Sequence, residues 1–423
     1  NVLGGAAEAG KIQELDPNAN VVWEYVYSDA NHLSHHDFCP LPNGNVILTA
    51  WEVRTGSEMV QAGSTGSDES WPTHFVELEP DGAGSATIVW EWHIWDHLIQ
   101  DNDSTKDNFG VIADHPELMD INAVPMFAFF PGEGDWFHVN GISYNETLDQ
   151  LVFSSRQASE FYIIDHSTTT AEAATAAGGN SGMGGDFLYR WGNPSNYGAP
   201  GTQEIPAATH DPRWIPAGRP YAGYIQFWNN EGVSANQSTV DLILPPETGN
   251  TYSFTAGSSY APTAYSKRHV TLVSSSGQSA SDRMSNGNIF VSVSGEYMYE
   301  VDSNDNMIWQ YNAGPGKAFR YECDHPGLTA LLGADPCNLV GLNEISIPNI
   351  SIYPNPSAGV FNIQGLDLNN DIEILVYDVF GKLILSAANT DTFTLQNKPV
   401  GMYMANIMVN GKRVMTKMVI IEE

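Results

Sequence analysis

The stretch from Asp135 to Arg156 reads DWFHVNGISYNETLDQLVFSSR. In a strand, residues i and i+2 share a face, so His138 and Asn140 point the same way. The turn signal YNETLDQ folds LVFSSR back beside them and brings Arg156 near His138. Related fragments recur: HHD at His35, His36 and Asp37, THD at Thr209, His210 and Asp211, and SASD from Ser279 to Asp282. Three chemistries use such groups. Neutral imidazoles with neighbouring carboxylates suit a transition metal, but a guanidinium in the same cluster repels a cation and suits planar recognition of an oxyanion. A histidine base of a lyase or hydrolase is the second, although no spaced carboxylate pair accompanies it. The third is nucleophilic catalysis on a tetrahedral oxyanion: an imidazole attacks in line, Arg and Asn hold equatorial oxygens, and another histidine protonates the leaving group.

A lone strand histidine is usually a satisfied core or surface residue, so the weight rests on register. The unit IQELDPNANVVWEY, ending near Tyr25, recurs as HFVELEPDGAGSATIVWEW, ending at Trp92, and as EYMYEVDSNDNMIWQY, ending at Tyr311. A looser copy, FYIIDHS to GGDFLYRW, reaches Trp191, and TVDLILPPETGNTYSF reads as a fifth. Each is a short strand, a polar turn and an apolar strand. Asn-Gly turns in LPNGNVILTA and MSNGNIFVSV add hairpins beside two of them. Short strands at regular intervals, with hardly a helical period, predict radially arranged blades. The fold class is therefore all-β, a β-propeller. Aligned on these turns and on the Trp strands, HHD, FHVN, THD and SASD all fall on the strand after a Trp strand, the first of the next blade. First strands line the central channel, so three blades aim imidazoles at one axis. His35 and His36 point apart by alternation; His36 is assigned to the channel because its Asp neighbour matches His210–Asp211. His32, His74, His93, His97, His115, His166, His269 and His325 lack this register and receive no role. Residues 97 to 134 exceed any blade turn and predict a rim loop.

The 423 residues carry 17 Lys plus Arg against 50 Asp plus Glu, a formal charge of −33. Such a surface repels nucleic acid and anionic membranes, so an anionic substrate must be met by a local cluster of donors. No run of about 18 apolar residues exists, so no transmembrane segment is expected. Cys323 and Cys337 bracket CDHPGLTALLGADPC and are disulfide candidates in an oxidising compartment, whereas Cys39 reads as a buried thiol. From about Asn349 the composition changes. Alternating strands with turns at NPSAG, DVFGK and VNGK predict a small Ig-like β-sandwich of some seven strands. Acidic turns such as DSNDN are compatible with structural calcium, though such turns are more often solvated.

The run WEWHIWDHLIQD, FGVIADHPELMDIN and DWFHVNGISYNETLDQLVFSSR, followed by RWGNP and THDPRW to FWNNEG, resembles the bacterial arylsulfotransferases over most of residues 10 to 315. The resemblance implies a six-bladed propeller that moves a sulfuryl group from a phenolic sulfate ester to another phenol. It implies a sulfohistidine intermediate, no nucleotide sulfate donor and no required cofactor. By the same resemblance His210 is the nucleophile, oriented by Asp211 or a backbone group. His138 and Asn140 are the His-x-Asn pair, Arg156 holds sulfate, and the remaining histidine is one of His35 and His36. The chain departs from the family where HDPRWIPAGRPYAGYIQFWNNEG inserts a Pro/Gly-rich loop after the nucleophile. YPNPSAGVFNI, VYDVFGKLIL and VGMYMANIMVNGKRVMTKMVI resemble the C-terminal sorting domain of type IX secretion substrates from the Bacteroidetes. That implies passage across the outer membrane, with the secretion machinery as partner and a secreted or cell-surface destination. The expected layout is a propeller over 1–340, a linker over 341–348 and a sorting sandwich over 349–423. The competing expectation is a non-catalytic propeller for adhesion, assembly or ligand binding.

Overall fold

The computed structural model describes residues 3–82, 84–125, 134–200, 203–332, 336, 350–378 and 381–422. Contacts divide the chain into two compact units, Asn1–Arg320 and Tyr321–Glu423. The expected Cys323–Cys337 pairing lies outside the described residues, because Cys337 does. Cys39 is free and buried, and burial pushes its thiol up to about 12.

In the first unit, a hairpin of β1 (Lys11–Leu15) and β2 (Val21–Val26) leads into an antiparallel sheet of β3 (His32–Pro40), β4 (Val46–Glu52), β5 (Thr73–Pro80) and β6 (Ala86–His93). The long connection that follows holds a short parallel pair, β7 (Leu98–Ile99) and β8 (Met119–Asp120). A second sheet is formed by β9 (Val139–Asn145), β10 (Gln150–Ser155), β11 (Glu160–Asp165) and β12 (Tyr189–Gly192). A third joins β13 (Thr209–Trp214), β14 (Ile225–Ser234) and β15 (Gln237–Ile243); past the small pair β16 (Glu247–Thr248) and β17 (Thr251–Tyr252), β18 (Lys267–Val270) completes it. The last contains β19 (Ala280–Arg283), β20 (Ile289–Ser292), β21 (Met298–Val301) and β22 (Met307–Tyr311).

Among the described residues of the first unit this makes four four-stranded sheets, the β1–β2 hairpin and the two short pairs, where the resemblance implied six blades. The supposed fifth repeat, TVDLILPPETGNTYSF, is divided instead between β15 and the β16–β17 pair, and the outer strand of that sheet is β18, which has no tryptophan. Pro245 and Pro246 explain the split, since they interrupt the run just after β15.

The remaining repeat signals have a physical cause. Gly44 and Gly287, in the Asn-Gly turns between β3 and β4 and between β19 and β20, have φ of 93° and 88°, which glycine adopts without penalty. Three tryptophans of these strands tie one sheet to the next. Trp23 Nε1 on β2 donates to Ser85 O at 2.9 Å, Trp92 on β6 to Gly185 O at 2.8 Å, and Trp191 on β12 to Pro262 O at 2.6 Å. The strand that begins each sheet lies innermost: β9 packs against both β3 and β13, and β13 also meets β19.

In the second unit, β23 (Ser351–Tyr353), β24 (Val360–Gln364) and β27 (Thr392–Thr394) form one sheet, and β25 (Ile372–Asp378), β26 (Leu383–Ala388), β28 (Gly401–Val409) and β29 (Lys412–Ile421) the other. On β25 the alternate residues Ile372, Ile374 and Val376 are buried with Phe361, Ile407 and Val419 between the sheets. These are the seven strands of the expected sandwich.

The inner strands approach closely at Gly141. A Cβ there would stand 2.7 Å from Asp211 N and 3.0 Å from Asp211 Cα, backbone atoms with no room to yield. Gly141→Ala is expected to destabilise the propeller by about 1–3 kcal/mol. All 11 tryptophans lie in the first unit, so a lower urea midpoint by tryptophan fluorescence reports this loss directly.

Candidate active site

Three inner strands are bulged where they carry histidine. Ser34 pairs with Ala50 and Phe38 with Leu48, so His35, His36 and Asp37 together face Thr49. Ser154 pairs with Gly141 and Ser155 with Val139, which leaves Asn140 as the extra residue. His210 pairs with Trp228 and Arg213 with Gln226, so Asp211 and Pro212 share one partner. A bulge bends its strand and re-aims the side chains. Left-handed φ collects at the same places: His36 at 52°, His138 at 46°, Ala208 at 56° and Asp211 at 50°. Such conformations cost non-glycine residues about 1–3 kcal/mol each and persist only where neighbours fix them. His36 N donates to Ala7 O at 2.9 Å, Thr209 Oγ1 donates to Trp228 O at 3.0 Å, and Ser155 Oγ donates to Phe137 O.

His210 is 2% exposed. Its Nδ1 lies 2.9 Å from Ala208 O, an acceptor with no proton, so Nδ1 carries the hydrogen and Nε2 keeps its lone pair. Burial pushes the imidazole down to about 3; the charges of Lys317, His138 and Arg156 act in the same direction, and the Ala208 carbonyl opposes them. Asp211 does not orient this ring. Its carboxylate turns to Arg213 at 2.9 Å, and burial raises its pKa. His138 Nδ1 donates to Asp135, a fully buried carboxylate whose other oxygen accepts from Trp51 Nε1 at 2.9 Å. That arrangement fixes the tautomer of His138.

The His36 ring stands edge-on to His138, with centroids 4.4 Å apart. His35 is buried and stacked on Trp51 at 4.3 Å; its Nδ1 is 2.9 Å from His36 Nδ1, one ring donating to the other. Burial, and then the neighbouring His138, holds both well below the ordinary histidine range. Asn140 ties β9 to β13, donating to Thr209 O at 2.9 Å and accepting from Ser154 Oγ at 2.5 Å. Arg156 returns beside His138, its N donating to His138 O at 3.2 Å. Burial lowers the Arg156 pKa, and its charge reaches His210. The structure thus gathers His35, His36, His138, Asn140, Arg156 and His210 around the inner strands.

Sequence reasoning missed Asp135, Trp51 and Lys317. Asp135 precedes β9, where no strand period applies, and Lys317 stands 280 residues from its partner Asp37. Several unassigned histidines are satisfied in the core: His97 by Asp186 and Ala173 O, His166 by Asp149 and Glu77, and His269 by Asp305 and Tyr299. The insertion after His210 folds on itself, Ile215 N donating to Tyr224 O at 2.8 Å. It begins beyond Trp214, roughly 13 Å along β13 from His210 at about 3.3 Å per residue. Part of the 97–134 connection, residues 126–133, lies outside the described residues. Among the described residues no group of three His, Cys, Asp or Glu is arranged to hold a metal, and Asp302 of the DSNDN turn accepts from Asn304 N and Asn306 N at 2.8 and 3.0 Å.

The arylsulfotransferase (ASST) family profile matches residues 11–319, well over half of the chain. The chain belongs to the arylsulfotransferase family. This arylsulfotransferase-family protein also carries a secretion system C-terminal sorting domain, matched over residues 351–422. That domain directs export across the outer membrane by the type IX route, to the cell surface or the medium, and engages the secretion machinery. Among the described residues no helix is long and apolar enough to cross a membrane. No curated protein matches. Solved structures that align with it include the Dos1 propeller (9% identity, 96% of this chain, 73% of that one, TM-score 0.32). BamB from Moraxella catarrhalis aligns at 7% identity over 97% of this chain and 83% of its own, with a TM-score of 0.29. The periplasmic gluconolactonase PpgL of Pseudomonas aeruginosa aligns at 9% over 99% and 97%, with a TM-score of 0.30.

The buried imidazoles make stability depend on pH in a definite sense. His35, His36, His74 and His210 have depressed pKa values in the fold, whereas unfolded they titrate near ~6.5. Their contribution is complete above ~6.5 and is lost as pH falls toward about 3, because the unfolded chain takes up protons that the fold refuses. His166 acts oppositely. Against the cost of burial, Asp149 and Glu77 raise it to about 9, so its contribution is complete below ~6.5 and lost as pH rises through 9. The Tm of the propeller, followed by tryptophan fluorescence, is expected to peak near ~6.5, where the two limbs meet, and to fall on both sides. A Tm unchanged from pH 7 to 4 contradicts neutral burial.

Proposed function

We propose that this chain is an exported aryl-sulfate sulfotransferase working through a sulfuryl group carried on His210. The observation that supports it most is the fixed tautomer: Nδ1 is committed to the Ala208 carbonyl and burial keeps the ring neutral, so Nε2 is a nucleophile at neutral pH. In the first half-reaction Nε2 attacks sulfur in line. The N–S bond forms as the S–O bond to the aryl group breaks, and the electron pair leaves on the phenolate oxygen. Arg156 and Asn140 hold the sulfuryl oxygens, supplying local positive character against the overall charge of −33.

His138, its Nδ1 engaged by Asp135, delivers a proton from Nε2 to the departing phenolate, and His36 lies against it at 4.4 Å. In the second half, neutral His138 takes the proton of the acceptor phenol, whose oxygen attacks sulfur. The N–S bond breaks, and the pair returns to Nε2. The net change is one sulfuryl group exchanged for one proton between two phenols, with no nucleotide donor.

In the full chain, His210→Asn is expected to lower turnover of a chromogenic aryl sulfate by about 10³-fold or more. Unchanged turnover removes the assignment, and a wild-type protein that binds aryl sulfates without turnover favours the non-catalytic alternative. Asp135→Asn is expected to lower kcat by about 10²–10⁴-fold with little change in KM, because it upsets the tautomer of His138 without touching substrate.

A further inference from the structure

The aspartate that closes three of the four inner-strand motifs meets a partner from the end of the propeller. Asp37, Asp211 and Asp282 stand at equivalent places in HHD, THD and SASD, and one short segment, Gly316 to Arg320, touches all of them. Lys317 Nζ lies 2.7 Å from Asp37 Oδ2 and 3.8 Å from Asp211 Oδ1, with its side chain only 14% exposed. Arg320 N donates to Asp282 Oδ2 at 2.8 Å. Phe319 packs on the Arg213 guanidinium at 4.0 Å, and Arg213 is itself 2.9 Å from Asp211 and 3.3 Å from Asp282. Ser279 N anchors the segment at Gly316 O at 2.8 Å.

Two of these carboxylates are joined by single peptide bonds to the histidines of the site. Asp37 follows His36 and Asp211 follows His210, each at a bulge with left-handed φ. Asp37 Oδ2 also accepts from Ile142 N at 3.0 Å, so the same oxygen couples β3 to β9 while Lys317 couples β3 to β13. We propose that Lys317 is a positioning residue for the reaction proposed above: by tying Asp37 to Asp211 it fixes the bulges that aim His36 and His210, and it presents the positive charge that both imidazoles face. Its activity readout rests on the sulfuryl-transfer reading.

The groups facing His210 are His138, Arg156 and Lys317, with Asp211 next in the chain. Those facing His36 are His35, His138, His210 and Lys317, with Asp37 next in the chain. Removing the lysine takes away a cation and leaves Asp37 and Asp211 less compensated, so both imidazoles gain affinity for a proton.

The test compares Lys317→Gln with Lys317→Arg in the full chain. With Gln, kcat is expected to fall about tenfold or more at nearly constant KM, and the acid limb of kcat to move up by about one pH unit. Arg is expected to restore both. A lysine with only a structural role leaves the limb where it was. Nitrogen-15 histidine resonances, titrated in the same proteins, read His36 and His210 without turnover. An upward shift with Gln and not with Arg supports the assignment even in a protein that turns over no aryl sulfate, so failure of the reaction and failure of this inference are separate results. Should Lys317→Gln not fold, Asp37→Asn combined with Lys317→Gln removes both charges at similar volume and still deprives Asp211 of its lysine. The same upward shift at His210 is then expected. Histidine titrations that match wild type in a folded Gln variant overturn the inference.

Discussion

The hydrogen bond from His210 Nδ1 to the Ala208 carbonyl is the interaction on which the site depends. An exposed imidazole near neutral pH is divided between two tautomers and a cation, and only one of the three forms offers a lone pair at Nε2. Burial removes the cation, and the carbonyl removes the wrong tautomer. The carbonyl is in reach because Ala208, with φ of 56°, turns back just ahead of β13. The local backbone conformation and the chemistry of the ring are therefore one feature. The propeller's part is to hold three such distorted strands against each other, closely enough that Gly141 has no space for a methyl group.

Electrostatics follow the same logic. A chain with a net charge of −33 repels sulfate esters, and the inner strands add Asp37, Asp211 and Asp282. Each of these carboxylates is matched: Asp37 and Asp211 by Lys317, and Asp211 and Asp282 by Arg213. The region around His210 is then governed by Arg156, Lys317 and His138, whose charges lower its proton affinity. A few buried groups outweigh a large surface charge because surface charges are screened within about 8–10 Å by salt, and buried ones much less. Asp135 serves differently: it accepts from His138 Nδ1 and from Trp51 Nε1, and so holds that ring in one tautomer.

Much of this was legible in the sequence because it repeats. The Trp strands, the Asn-Gly turns and the shared position of HHD, FHVN and THD follow from hairpins that must each bury one face and cross to the next. The sandwich was legible for the same reason, through strict alternation such as Ile372, Ile374 and Val376. Orientation within the motifs was not. The rule that His35 and His36 point apart assumes an unbroken strand, whereas φ of 52° at His36 brings their Nδ1 atoms to 2.9 Å. Likewise, of the two orienters read for His210, Asp211 or a backbone group, Asp211 has a positive φ and is turned to Arg213, and the Ala208 carbonyl takes the role. Asp135 and Lys317 had no periodic signal, one lying ahead of its strand and the other brought in by chain closure. The TVDLILPPETGNTYSF segment misled because it has the composition of an outer strand pair but continues a sheet whose fourth strand comes later.

The central claim is a covalent sulfuryl group on one nitrogen of one residue. The full chain, exposed briefly to an aryl sulfate without acceptor, quenched at alkaline pH and digested, is to be read by peptide mass spectrometry. The account predicts one added sulfuryl group on the peptide containing His210, discharged when a phenol is supplied. Release of the phenol with no such adduct, or an adduct confined to His138 or His36, contradicts it.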